Sequence, residues 1–170
     1  MGTLGELLAA GQKQTLEFFF VRLKDVSGST VDRDELLYNA SVLAHYAHVS
    51  THSATDLATP ATLAEVFDHF VCDTSLQHDS AMMEEAGAQC LLLAGFFEDQ
   101  LRRRHNIRWY AKLGVGFFRR AAALERTPRK VHLLAAIAEG FEPWRQRYAR
   151  LSRDLRDQPY LLIQPPRSIN

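Results

Sequence analysis

A chain of 170 residues with 46% hydrophobic and 24% charged residues has the composition of an ordinary globular domain. At that length it buries roughly 70% of its unfolded surface, so it needs neither a disulfide nor a metal to hold together. The formal net charge of zero conceals a division: residues 1–101 carry 4 Lys/Arg against 15 Asp/Glu, and residues 102–170 carry 16 against 5.

That asymmetry has two readings. Acidic and basic helices can pack side by side or solvate opposite faces. Alternatively, a dipolar surface turns its basic pole to an anionic partner. Cys72 and Cys90 fit no zinc or redox spacing and read as reduced core thiols of a cytoplasmic protein. The start, MGTLGELLAAGQKQ, lacks the basic stretch, apolar core and cleavage site of a signal peptide.

In chain order, residues 4–24 predict a helix whose apolar face includes Leu7, Leu8, Leu16, Phe19, Phe20 and Leu23. Ser27-Gly28-Ser29-Thr30 is a turn. Asp32, with Glu35 three positions on, resembles a capped start for a helix to about His52. Its expected buried stripe is Leu36, Leu37, Ala40, Leu43, Ala44 and Ala47. Thr59-Pro60 opens a helix to about Val71, with Leu63, Val66, Phe67 and Phe70 inward.

The chain is organised around residues 80–104. Met83, Ala86, Cys90, Leu93, Phe97 and Leu101 form one helical stripe, and Leu92 and Phe96 cover a second. The unbroken apolar run is about a dozen residues, short of the ~20 that span a bilayer, so a buried central helix is expected and no membrane span. Ile107 starts a helix to about Leu124, with Tyr110, Leu113, Gly114, Phe117 and Ala121 inward. Thr127-Pro128 repeats the cap-plus-proline start. Gly140 and Pro143 kink or split the last helical region, and the tail after Gln158 contains Pro159, Pro165 and Pro166.

The expectation is therefore an all-α, single-domain irregular bundle of six or seven helices. The bundle occupies residues 1–158, and residues 159–170 form an extended C-terminal tail.

Three constellations could carry chemistry. His45, His48 and His52 share one face of the second helix, a placement open to zinc, copper or haem iron, although a polar helix edge explains them equally. Glu65, Asp68 and His69 make a second polar strip, but the spacing from Glu65 to His69 is not that of a di-iron bundle and no second copy exists.

The densest basic cluster is Arg102, Arg103, Arg104 and His105 with Arg108, Lys112, Arg119 and Arg120, interleaved with Trp109 and Tyr110. This mixture suits phosphate contact and base stacking. Against that, Glu98 and Asp99 stand four residues before Arg102 and Arg103, and cations at a helix C-terminus are stabilised by the macrodipole. No nucleophile elbow, phosphate-binding loop or dinucleotide fingerprint is present, so the sequence gives no positive support for an enzyme, a catalytic residue or a cofactor.

The phrase Leu93-x-Gly95-Phe96-Phe97, Leu101-x-Arg103-Arg104, Trp109-Tyr110-x-x-Leu113-Gly114 and Phe118-x-x-x-Ala122 resembles a family of uncharacterised all-helical bacterial proteins. The resemblance covers about 35 residues and implies no activity, cofactor or partner. Physically, Gly95 admits a close neighbour, Phe96 and Phe97 fill the core, and the arginines mark the exit from it.

The leading expectation is a cytoplasmic, non-enzymatic interaction or regulatory protein whose basic pole (Arg103, Arg104, Arg108, Lys112, Arg119, Arg120) meets a protein partner. It requires an exposed apolar patch beside those cations. Nucleic-acid association through the same residues is the alternative, a metal or haem site at His45, His48 and His52 is the third, and a homodimer is compatible with all of them.

Overall fold

The computed structural model describes residues 12–52, 79–103 and 106–157, apart from the side chains of residues 12, 48–52 and 157. Every regular element among them is helical: α1 (Gln12–Ser27), α2 (Arg33–His52), α3 (Ser80–Leu91), a π-helical turn (Leu92–Phe96), α4 (Glu98–Arg102), α5 (Ile107–Leu124), α6 (Pro128–Glu139) and α7 (Phe141–Asp157). The expected helix after Pro60, the strip Glu65, Asp68 and His69, the thiol Cys72, and the 159–170 tail lie outside the described residues.

The chain forms two compact units, Met1–Thr55 with Arg150–Asn170, and Asp56–Ala149; the boundary falls inside α7. In the first, α1 packs on α2 across a turn in which Gly28 takes φ +78°, a conformation that side chains with a Cβ rarely adopt. Asp32 Oδ1 accepts from the backbone N–H of Asp34 (2.9 Å) and Glu35 (3.1 Å), forming the cap expected from the sequence. The buried stripe of α2 differs from expectation at one place. Leu37 is 44% exposed, while Asn39 is buried and donates Nδ2–H to the Glu35 carbonyl at 2.8 Å. A satisfied amide can take a core position at little cost, which hydrophobic periodicity does not reveal.

In the second unit α3 packs along α5, and α5 along α6. The first of these contacts is built from small residues set against large ones. Gly87 of α3 faces the Phe118 ring, and a Cβ there would come within 2.9 Å of it. Gly114 of α5 faces Cys90 of α3 and the Phe141 ring, at 3.0 and 2.5 Å from its would-be Cβ. The inner face of α5 is consequently Tyr110, Gly114, Phe118, Ala121 and Ala122. Phe118 takes the wholly buried place expected for Phe117, and Leu113 is only half-buried.

Helix ends follow their sequence signals in two places. Asn106 Oδ1 accepts from the Arg108 N–H at 3.0 Å to open α5, and Gly140 closes α6, so the last region splits there, with Pro143 in the first turn of α7. At the start of α6 the expected Thr127 side-chain cap is not made. Instead the Glu125 carboxylate accepts from the N–H groups of Arg126 (2.9 Å) and Thr127 (3.1 Å), which holds its carboxyl below the usual range.

The central helix departs most from a regular reading. From Met83 to Leu93 the expected stripe is buried, but at Leu92–Phe96 the helix widens into a π-turn, with the Phe97 N–H donating to the Leu92 carbonyl five residues back at 3.0 Å. The wider turn shifts the inward face by one residue. Phe97, expected inside, is half-buried, and Glu98 takes the buried place ahead of Leu101.

Candidate functional site

The π-turn delivers a carboxylate into the interior, and a buried charge is tolerated only when paired. Glu98 is 6% exposed, and its Oε1 accepts from Arg102 Nη2 at 2.6 Å and from Arg145 Nη1 at 3.0 Å. Arg145 comes from α7, 47 residues away in sequence. Its Nη1 also donates to the Ala94 carbonyl (3.1 Å) inside the π-turn, while Nε and Nη2 grip both oxygens of Glu142 at 2.8 and 2.6 Å.

The fork-to-carboxylate geometry fixes the guanidinium plane. Glu142, and then Glu98, keep Arg145 charged well above its ordinary range, and Arg145 in turn holds the Glu142 carboxyl below the usual carboxylate range. Gly95 makes this approach sterically feasible, because a Cβ there would meet Tyr148 Cβ at 2.8 Å and the Arg145 carbonyl oxygen at 2.9 Å. Residue type, π-turn and ion pair are one construction.

Beside it opens a cleft of about 350 Å³ lined by Glu98, Arg102, Asn106, Ile107, Arg108 and Arg145. Arg102 and Arg108 reach solvent; Arg145, at 12% side-chain exposure, belongs to the wall.

The cleft runs into the outer face of α5. Lys112 lies one turn and Arg119 three turns beyond Arg108, so the three cations share a side of the helix, and all are exposed. No acidic residue occurs from Ile107 to Leu124. Among the described residues none of Arg108, Lys112 and Arg119 has an acidic partner, whereas Arg102, Lys130 and Arg145 pair with Glu98, Glu84 and Glu98 of the acidic half. Trp109, 50% exposed, stands among them with its indole edge-to-face on the buried Tyr110 ring, centroids 5.1 Å apart. Gly116, which has open space around it, leaves the middle of this face flat.

The other sequence candidates fare differently. Arg103 and Arg120 are exposed, and Arg104 lies outside the described residues. His45 is exposed on α2, while the side chains of His48 and His52 are not among those described. Among the described residues no three His, Cys, Asp or Glu side chains converge as metal ligands would. Cys90 is a free, buried thiol that burial pushes up to about 12, far from a reactive thiolate. Among the described residues no helix is long and apolar enough to cross a membrane.

Sequence reasoning misses Glu98, Arg145, Glu142 and Asn106 as a group. No local pattern ties residues so far apart; the only hint is an acidic residue directly after an all-apolar run. No protein-family model matches this chain, and comparison with curated proteins and with solved structures likewise finds no match.

Proposed function

We propose that this protein is a non-enzymatic interaction module whose α5 face docks an acidic segment of a protein partner. One observation carries the reading: α5 has no acidic residue, and it presents Arg108, Lys112 and Arg119 on one exposed side with Trp109 half-exposed among them. Interface anchors are typically Trp and Arg, with charge complementarity setting encounter rate and register. A cationic row without acidic partners and with an aromatic beside it has both ingredients. The cations of the rest of the basic half are partly committed to internal carboxylates, which concentrates the available charge on this helix.

The same Trp109 supports a second reading, since an indole flanked by arginines can stack on a nucleobase while the cations contact phosphates. The two separate in one experiment. Tryptophan emission is followed while the chain is titrated with decaglutamate or with oligothymidylate of equal length, at low and physiological salt. Trp144, 1% exposed, serves as the internal constant, and a Trp109→Phe variant assigns the signal.

The expected result is a saturable blue shift with decaglutamate that weakens about tenfold in Lys112→Gln/Arg119→Gln, the scale of one charge-assisted contact. Tighter, steeply salt-dependent binding of oligothymidylate transfers the assignment to nucleic acid. No response to decaglutamate at low salt overturns the docking reading.

A further inference from the structure

The cleft beside the π-turn has a charge balance that specifies its occupant. Its walls bring the guanidiniums of Arg102, Arg108 and Arg145 around the Glu98 carboxylate, and Glu142 holds Arg145 from outside the lining. Three positive charges against two negative leave one positive charge unbalanced. The donors are divided in the same way. Nε, Nη1 and Nη2 of Arg145 are committed to Glu142, Glu98 and the Ala94 carbonyl, so it acts as a fixed wall. Arg102 spends one nitrogen on Glu98 and is otherwise 67% exposed, and Arg108 has no side-chain partner among the described residues.

We propose that this cleft is a binding site for a single carboxylate, held between Arg102 and Arg108. One carboxylate neutralises the surplus, and each guanidinium offers it a two-pronged edge. A phosphate dianion would leave an unbalanced negative charge against the buried Glu98, so the site discriminates against it. Ile107 supplies apolar wall for the methylenes that carry the carboxylate, and the volume exceeds that of the carboxylate group alone.

Because Arg108 belongs to both the cleft and the α5 face, the natural source of the carboxylate is a Glu or Asp side chain at one end of the acidic segment. That identification rests on the docking reading; the carboxylate preference does not. The cleft thus fixes where the segment starts, and Trp109, Lys112 and Arg119 receive its remaining residues.

The test monitors backbone and arginine N–H signals by NMR while the full chain is titrated with acetyl-glutamate amide, which carries one carboxylate, and separately with inorganic phosphate. The expected result is saturable shifts confined to Arg102, Asn106, Ile107, Arg108 and Arg145. Binding should weaken about tenfold in Arg102→Gln, the loss of one charge-assisted partner, and be unchanged in Lys112→Gln/Arg119→Gln.

Shifts that fail to saturate, or that spread evenly over Arg103, Lys112 and Arg119, overturn the site. Tighter binding of phosphate than of the carboxylate overturns the charge argument. If decaglutamate binds with an affinity that Arg102→Gln leaves untouched, the anchor falls while the α5 docking reading stands. If acetyl-glutamate amide saturates the cleft but decaglutamate does not shift Trp109, the carboxylate site stands and the docking reading falls.

Discussion

At the level of single residues, two glycines of one helix should respond to alanine in opposite directions. A Cβ on Gly114 would meet the Phe141 ring at 2.5 Å and Cys90 at 3.0 Å, inside a packed core. Gly114→Ala should destabilise the fold by roughly 1–3 kcal/mol, the cost of overpacking. Gly116 has nothing within 4 Å of its would-be Cβ, so Gly116→Ala should stabilise by about 0.5–1 kcal/mol through helix propensity alone. Urea denaturation of the two variants, side by side, checks both signs.

Glu98→Ala leaves the largely buried Arg145 with only Glu142 as a carboxylate partner, and a loss of roughly 3 kcal/mol is expected in the same assay. Glu142 itself is 54% exposed at the side chain, so its contribution is screened and amounts to ~0.5 kcal/mol or less. Its folded-state carboxyl is held low by Arg145, so that contribution is present above the unfolded carboxylate range and lost as pH falls through the folded value. Melting temperatures taken from about pH 6 down to about pH 3 should fall less steeply in Glu142→Gln than in the unaltered chain.

Among the helices, the punctuation is legible in the sequence and the π-turn is not. Asp32, Asn106 and Gly140 act locally, through their own backbone neighbours, so short patterns disclose them. The widening at Leu92–Phe96 depends on α7, whose Arg145 takes up the Ala94 carbonyl and the Glu98 carboxylate, and on Gly95, which lets α7 come close. A strict helical repeat places Phe97 inside and gives Glu98 no special role. The same limit explains Phe117 and Phe118, because the rotation of α5 about its axis is set by Gly87 and Gly114 meeting large rings.

The dependence of the π-turn on a close α7 can be tested at Gly95. Gly95→Ala drives a methyl group into Tyr148 Cβ and the Arg145 backbone, which have no freedom to yield as a flexible side-chain tip would. It should cost about 1–3 kcal/mol and, by displacing Arg145, weaken carboxylate binding in the cleft more than Gly116→Ala does. NMR titration of both variants distinguishes the effects.

For the whole molecule, the split of charge between the two halves of the sequence has a partial structural resolution. Glu84 and Glu98 of the acidic half are met by Lys130, Arg102 and Arg145 of the basic half, so some of the opposition is internal. The row on α5 is not. The cationic row and the exposed indole are both visible in the sequence as types and spacings. Which cations are already spent is not visible, because ion pairing across distant helices has no local signature. An acidic partner should therefore dock on α5 rather than on the more arginine-rich α7. On α7, Arg145 is committed to the buried pair, and Glu142, Asp154 and Asp157 dilute the remaining positive charge.

An NMR map of backbone amide shifts on adding decaglutamate at low salt decides between the two helices. The largest changes are expected at Arg108, Trp109, Lys112, Gly116 and Arg119. Changes centred instead on Arg147, Arg150, Arg153 and Arg156 of α7 would contradict docking on α5.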